Sequence, residues 1–482
     1  MPSALTRCKA GARPVLVAIA CVTAVTLPAF APPCCAETMS GALVRAYSAN
    51  PDLNQERDGA RATDEGLPRA EAVGRPTVTG TGQFGYNYLD LTTPTTGAVG
   101  GGIPVPSSTR TRAGTDVGIL SLKATQNLFN GNRTRNGVRQ AESNIFGARE
   151  SLRNTEQDVL LNAATAYMNV LCDTAILDLL KNNVTALEEQ LRQSRDRFNL
   201  SEVTRTDVAQ TESSLASGRA DYAAAQSNLQ ISVADYQQVI GVKPTRLQPA
   251  RPIETLLPRT LRAVVAMALA EHPAIQSALH ATDAAALQVK LVEGELAPTL
   301  NVVGTIEQDY NEFGIPRERL FNGFIGGQVS VPIYEGGEVY ARVREAKERF
   351  SQARHRADQQ ADSVRDSAMS AWSRLESART RIQQYEAAAK AAEIALDGVR
   401  KEAEIGQRTT FDILLQQQML INARVSLVSA QRDRVVASYA VMAAIGRLSA
   451  ASLNLSVARY NPTVHFDQVK DKWIGLDTPG GG

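Results

Sequence analysis

The chain has 482 residues, with 51 Lys and Arg against 50 Asp and Glu for a formal charge of +1, and aromatic residues make up only 5% of it. That balance excludes a polybasic surface for nucleic acid. A composition rich in Ala, Gln, Arg, Glu and Leu and poor in aromatics points to long packed helices with thin seams, not to one thick globular core.

The first 36 residues read as a secretory signal peptide, because Arg7, Lys9 and Arg13 precede a 13-residue apolar run from Val15 to Leu27, followed by small residues and Pro. A bilayer span needs about 20 residues, so this run is too short for a membrane anchor. Cleavage follows Ala31 or Ala36; Ala36 is preferred, starting the mature chain at Glu37 with a formal charge of −2. Four of the five cysteines leave with the leader, and Cys172 is expected inside a helix as a small buried apolar residue. Cleavage ahead of Cys34 would permit N-terminal acylation, but Ala31, Pro32 and Pro33 match a lipoprotein signal poorly. No later segment offers about 20 uncharged apolar residues, so membrane insertion is expected to use strands.

A short helix from Met39 to Asn50 and a second helical stretch ending near Val73 come first. From Thr77 to Tyr88 the pattern then alternates, with Val78, Phe84, Tyr86 and Tyr88 on one side and Thr77, Thr79, Thr81, Gln83 and Asn87 on the other. About 11 residues of period two is the length a tilted strand needs in a membrane barrel. The Gly-, Pro-, Ser- and Thr-rich stretch Thr92 to Arg112 is expected as an exposed loop, before a second strand over Asp116 to Leu128. From Arg133 to Asn199 there is no Pro, and apolar residues step by three and four (Val138, Ala141, Ile145, Ala148, Leu152, later Leu177, Leu180, Val184, Leu187, Leu191). The spacing predicts a helical rod on the order of 100 Å carrying a coiled-coil seam. Thr204 with Asp207 has capping-box spacing, which predicts a return helix, and Gly241 supplies its stop. Lys243 to Thr260, with Pro244, Pro249, Pro252 and Pro258, is a linker.

The second half repeats this order. Pro51 pairs with Pro273 and Pro76 with Pro298, both 222 residues apart; Gly131 pairs with Gly336, Tyr167 with Trp372, Asp207 with Asp412 and Gly241 with Gly446, all 205 apart. The difference of 17 places an insertion between Pro76 and Gly131. The second strand pair is expected over Leu300 to Tyr310 and Phe324 to Ile333, with Glu307 and Asp309 on a watery lumen face. The predicted domains are therefore a leader (1–36), a first repeat (37–242), a linker (243–262), a second repeat (263–448) and a C-terminal segment (449–482). Four strands are half of the smallest common closed barrel, so several chains must share one barrel.

Enzymatic chemistry finds no template. Gly80, Gly82 and Gly85 spell GxGxxG, but Tyr86, Asn87 and Tyr88 continue a strand where a dinucleotide site needs a helix, and the run Gly97 to Gly102 lacks the GK[ST] of a phosphate loop. His272, His280, His355 and His465 are too scattered for a metal cluster, and no nucleophile sits beside a base in a known motif. No cofactor, metal or catalytic residue is expected.

Over essentially the whole mature length the chain resembles the outer-membrane efflux proteins of the TolC family. The matching residues are Asn50-Pro51 after a short helix, Arg75-Pro76-Thr77 and Ala297-Pro298-Thr299 entering the strands, and Leu128-Phe129-Asn130-Gly131 and Ile333-Tyr334-Glu335-Gly336-Gly337 leaving them. Thr206-Asp207-Val208 and the run Gly406 to Leu414 match at the tips. Tyr460-Asn461-Pro462 and Lys472-Trp473-Ile474-Gly475 look like members paired with type I secretion systems.

The resemblance implies an α+β membrane protein in the outer membrane of a Gram-negative cell: a homotrimer whose twelve-stranded barrel, four strands per chain, continues into a twelve-helix tunnel through the periplasm. It also implies an exit channel for type I protein secretion, small-molecule efflux or both, working with a periplasmic adaptor and an inner-membrane ABC or proton-driven transporter. Adaptor-contacting tips would be Leu200, Ser201, Glu202, Val203, Ile405, Gly406 and Gln407, and the gate would be Asp412, Arg408, Asp207 and Thr206. Leu415 stands where a second lumenal Asp often lies, Ala403 where a Tyr would join the closing network, and Ser201 where a tip Gly is usual, so a weaker or differently set gate is expected. The rival from another class is a periplasmic coiled-coil scaffold or adaptor without a pore; an adaptor would usually carry one helical hairpin between compact β domains.

Overall fold

The computed structural model describes residues 37–99, 103–311 and 317–479; the expected signal peptide lies outside the described residues. Two short helices, α1 (Met39–Ala49) and α2 (Pro51–Asp64), meet at Asn50, whose side chain accepts from the amides of Asp52 and Leu53 while Pro51 takes the first helical position. After α3 (Gly66–Ala72) the chain enters β1 (Thr77–Val99) and β2 (Ile103–Asn130), then α4 (Arg133–Asn199) and α5 (Arg205–Ile240). The second half gives α6 (Leu261–Glu271), α7 (Pro273–Glu293), β3 (Thr299–Tyr310), β4 (Arg319–Ser330), α8 (Glu338–Glu404) and α9 (Thr410–Ala444), and α10 (Pro462–Val469) follows. His272 plays in the second half the part of Asn50 in the first, its ring nitrogen accepting from the amide of Ala274 ahead of Pro273.

The four strands form one antiparallel sheet in the order β1-β2-β3-β4. Register places Val78, Phe84, Tyr86, Leu120, Leu122, Ile306, Phe321, Ile325 and Val329 on one face, and Thr79, Thr81, Gln83, Lys123, Ser121, Glu307 and Asp309 on the other. The apolar face is strongly exposed; the other carries Lys123, Glu307 and Asp309 together with Leu320 and Phe324, while Asp116, Arg319 and, in the upper hairpin, Asp90, Arg110 and Arg112 share the register of the apolar face. Gly80, Gly82 and Gly85 sit inside β1.

Two strand expectations are corrected. The described residues of Thr92 to Arg112 are not a loop: β1 and β2 stay paired from Thr92 opposite Arg110 to Val99 opposite Ile103. Thr is a strong strand former, and this upper hairpin rises past β3, whose pairing with β2 ends at Gly118 opposite Tyr310. Pro94, Pro104 and Pro106 therefore lie where outer edges need no amide donor. The last strand runs from Arg319 to Ser330, not to Ile333, and stops two residues short of Pro332.

Both α4 and α8 are 67 residues long, on the order of 100 Å. The predicted seam is the packed one: Ile145, Leu152, Leu180, Leu187 and Leu191 are buried in α4, and Ala346, Ala357, Ile382 and Leu396 in α8. α4 also holds an 18-residue stretch of mean hydropathy 1.3, long and apolar enough by average composition to cross a membrane, although Asp173 interrupts its uncharged run. In the fold half of that stretch is buried, and Leu160, Ala163, Ala164 and Tyr167 are fully enclosed in the main core with α1, α5, α8 and α9.

The helices line up as a wall. The Asn50 amide donates to the carbonyl of Val239, so α2 begins where α5 ends, and Arg447 grips Glu271 through two bonds of 2.6 and 2.7 Å, so α7 begins where α9 ends. α4 packs against the α2/α5 column on one side and the α7/α9 column on the other, and α8 lies beyond. Gly241 and Gly446 take the left-handed conformation at these junctions.

The linker is fastened. Tyr167 reaches from α4 to the carbonyls of Glu37 and Gln248, and its hydroxyl also accepts from the Gln248 amide. Burial pushes that hydroxyl up to about 12. Glu254 receives Arg434 at 2.7 Å and Arg379 at 2.8 Å, which hold its carboxyl down at about 2, Arg434 contributing most. Cys172 is buried as expected, and burial raises its thiol pKa.

Candidate functional site: the helical tips

At the far end from the sheet each long helix reverses through the same geometry. In the first tip the Glu202 amide donates to the Arg197 carbonyl at 2.9 Å across Ser201, whose φ is +61°; in the second the Gln407 amide donates to Glu402 at 2.9 Å across Gly406, φ +79°. These are Schellman stops, which need a left-handed residue; glycine accepts that conformation freely and serine at a cost. Both return helices then start with a full capping box. The carboxylate of Asp207 receives the amide and hydroxyl of Thr204 at 2.9 and 2.7 Å, and that of Asp412 receives the amide and hydroxyl of Thr409 at 3.0 and 2.9 Å. Those two bonds, the amide first, hold the Asp412 carboxyl below the ordinary carboxylate range.

Leu200, Ile405 and Phe411 project into solvent, and Ser201, Glu202, Thr206, Gly406 and Gln407 are exposed beside them; Val203 and Asp207 are half-buried. Arg408 bonds Glu402 at 2.8 Å, which raises the guanidinium pKa. Among the described residues no hydrogen bond joins Arg408 to Thr206 or Asp207 within the chain. Glu402 was not singled out from sequence because the turn, not a helical repeat, brings it to Arg408.

Behind the tips, Leu414 of α9 enters a small core with Leu187 and Leu191 of α4 and Leu215 of α5. Higher up the buried amide of Gln417 donates to Asn183 at 2.9 Å. These contacts lock the two hairpins of one chain together. α8 and the α2/α5 column each keep an unpartnered flank, with Ile394 and Ile231 exposed. The arrangement holds charge at a fixed place; among the described residues no group of three or more His, Cys, Asp or Glu converges on a metal site.

The family model described as "Outer membrane efflux protein" matches residues 42–242 and 264–447. The outer membrane efflux protein BepC of Brucella suis is 40% identical over 445 residues, covering 92% of this chain and 93% of its own. The alkaline protease secretion protein AprF of Pseudomonas aeruginosa is 25% identical over 71% of this chain and 72% of its own. Among solved structures, the Campylobacter jejuni CmeC outer membrane channel superimposes with a TM-score of 0.71 at 16% identity, covering 90% of this chain and 89% of that one.

Proposed function

Because this chain belongs to the outer membrane efflux protein family and so resides in the outer membrane, we propose that it forms a trimeric passive exit duct, three four-stranded sheets closing one barrel above a tunnel of packed helices. The observation that carries this is the open sheet: β1 and β4 each have one unpaired edge, and in lipid an unpaired edge costs several kcal/mol per backbone group. Pairing β1 of one copy with β4 of the next removes the edges along the four-stranded part of the sheet and leaves only the upper β1/β2 hairpin with open edges, and it sets the bare flank of α8 against the α2/α5 column of its neighbour. The two halves share element order and matching junction residues, which supports an internal duplication as the source of the architecture.

The tips are the periplasmic end in this reading. Leu200, Ser201, Glu202, Val203, Ile405, Gly406 and Gln407 meet a periplasmic adaptor, which couples the duct to an inner-membrane ABC or proton-driven transporter. Similarity to a protease secretion protein favours type I protein secretion, with small-molecule efflux sharing the same wide conduit. Three copies of Asp412, with Asp207 and Thr206 nearby, would concentrate negative potential at the entrance and favour cations. Since Arg408 is engaged by Glu402 in its own chain, the gate is set by how Arg408 divides between Glu402 and the neighbouring tip. Planar-bilayer currents from purified protein test the duct: discrete, long-lived steps are expected, and verified insertion without current would favour the pore-free scaffold. Arg408→Ala is expected to raise single-channel conductance; no change would sink the gate assignment.

A further inference from the structure

Beyond the duct, we infer that the C-terminal segment Trp473–Leu476 is an interfacial anchor, lying in the headgroup layer of the periplasmic leaflet of the outer membrane. After α10 the chain leaves its packing on α2 and passes beside Arg75. The Arg75 guanidinium donates to the Lys472 carbonyl at 3.0 Å, pairs with Glu71 at 2.6 Å and lies 4.6 Å from the centre of the Trp473 ring. Arg75 is two residues ahead of Thr77, the first residue of β1, so these contacts fix Trp473 at the lower rim of the sheet.

The side chains presented there are apolar and uncovered within the chain: Trp473 is 66% exposed, Ile474 90% and Leu476 100%. They lie level with the end of the sheet where Val78, Phe129 and Val329 of its apolar face are exposed. A tryptophan whose polar edge meets water while its ring meets hydrocarbon is the side chain enriched at this depth, and isoleucine and leucine beside it add apolar area. The fit is to a phospholipid boundary, because an apolar strip level with the edge of a lipid-facing sheet lies where headgroups meet hydrocarbon. The buried half of the segment has its own anchor: His465 of α10 bonds Asp64 of α2 at 3.1 Å, so the strip is held in place and not trailing.

The inference rests on the outer-membrane placement of the sheet, and the test separates the two. Trp372 and Trp473 are the two tryptophans of the chain, so Trp372→Phe leaves Trp473 as the sole reporter. In bilayers of brominated-chain phospholipid its emission is expected to be blue-shifted and to fall about twofold relative to unbrominated lipid, as an indole at headgroup depth requires. The control is Phe84→Trp in a chain also carrying Trp372→Phe and Trp473→Phe, which reports the outer face of β1. Quenching of the control without quenching of Trp473 overturns the anchor. In that case accessibility to acrylamide places the tail in water, and protection from acrylamide places it on another copy of the chain. An unquenched control means the sheet is not in lipid, and the anchor falls with it. Ile474→Asp with Leu476→Asp is expected to weaken Trp473 quenching while leaving the control at Phe84 unchanged.

Discussion

Replacing Gly446 by Ala tests the junction where α9 gives way to α7. Gly446 has φ +81°, and a Cβ there would sit 2.7 Å from the His272 Cα and 3.0 Å from both the Glu271 carbonyl oxygen and Pro273 Cδ. These atoms are backbone or ring, so relief requires α6 and α7 to shift. Gly241 occupies the same place after α5, at φ +87°, but a Cβ there meets nothing within 4 Å. Gly241→Ala therefore carries only the left-handed penalty of about 1–2 kcal/mol. Gly446→Ala adds overpacking of about 1–3 kcal/mol. For a chain of this size the difference corresponds to a melting midpoint on the order of 1–3 °C lower than that of Gly241→Ala. Circular-dichroism melts of the two detergent-solubilised variants at one scan rate measure it. Equal midpoints would refute the claim that the column is built by direct abutment at Gly446.

Three further outcomes follow from the anchors and the tips. Glu254 has its folded pKa depressed to about 2 from the ordinary 4.5, so its stabilisation is fully present above pH 4.5 and is lost as pH falls towards 2. Because Arg379 and Arg434 are partly solvated, the expected contribution is about 1–2 kcal/mol, and Glu254→Gln should flatten this acid limb in pH-dependent melts. Tyr167→Phe removes the hydroxyl shared by Glu37 and Gln248 and should cost about 1–3 kcal/mol, read as faster protease cleavage in the linker 243–260. Ser201→Gly should stabilise the first tip by up to about 1 kcal/mol, since the residue already holds φ +61°; slower amide exchange at Glu202 would show it, and faster exchange would contradict it.

What the sequence by itself determined is local and periodic. The three-and-four stepping of apolar residues placed both 67-residue helices, and the Thr-x-x-Asp spacing placed both return helices at Thr204 and Thr409. Alternation put Val78, Phe84, Tyr86 and Tyr88 on one face, because side chains on a strand must alternate. The upper hairpin was misread because Gly, Pro and Ser carry a turn signal whether or not a partner strand is present, and only the pairing of β1 with β2 overrides it. Contacts between distant segments were beyond any local pattern: Glu402 under Arg408, Asn183 with Gln417, Arg75 under Trp473, and Glu254 between two arginines. None of these pairs lies within one helix or strand, and each exists because the chain reverses at a turn or returns from the other half. Helix and strand are set by neighbours along the chain, so periodicity reveals them; a charge finds its partner only after those elements have been folded against one another.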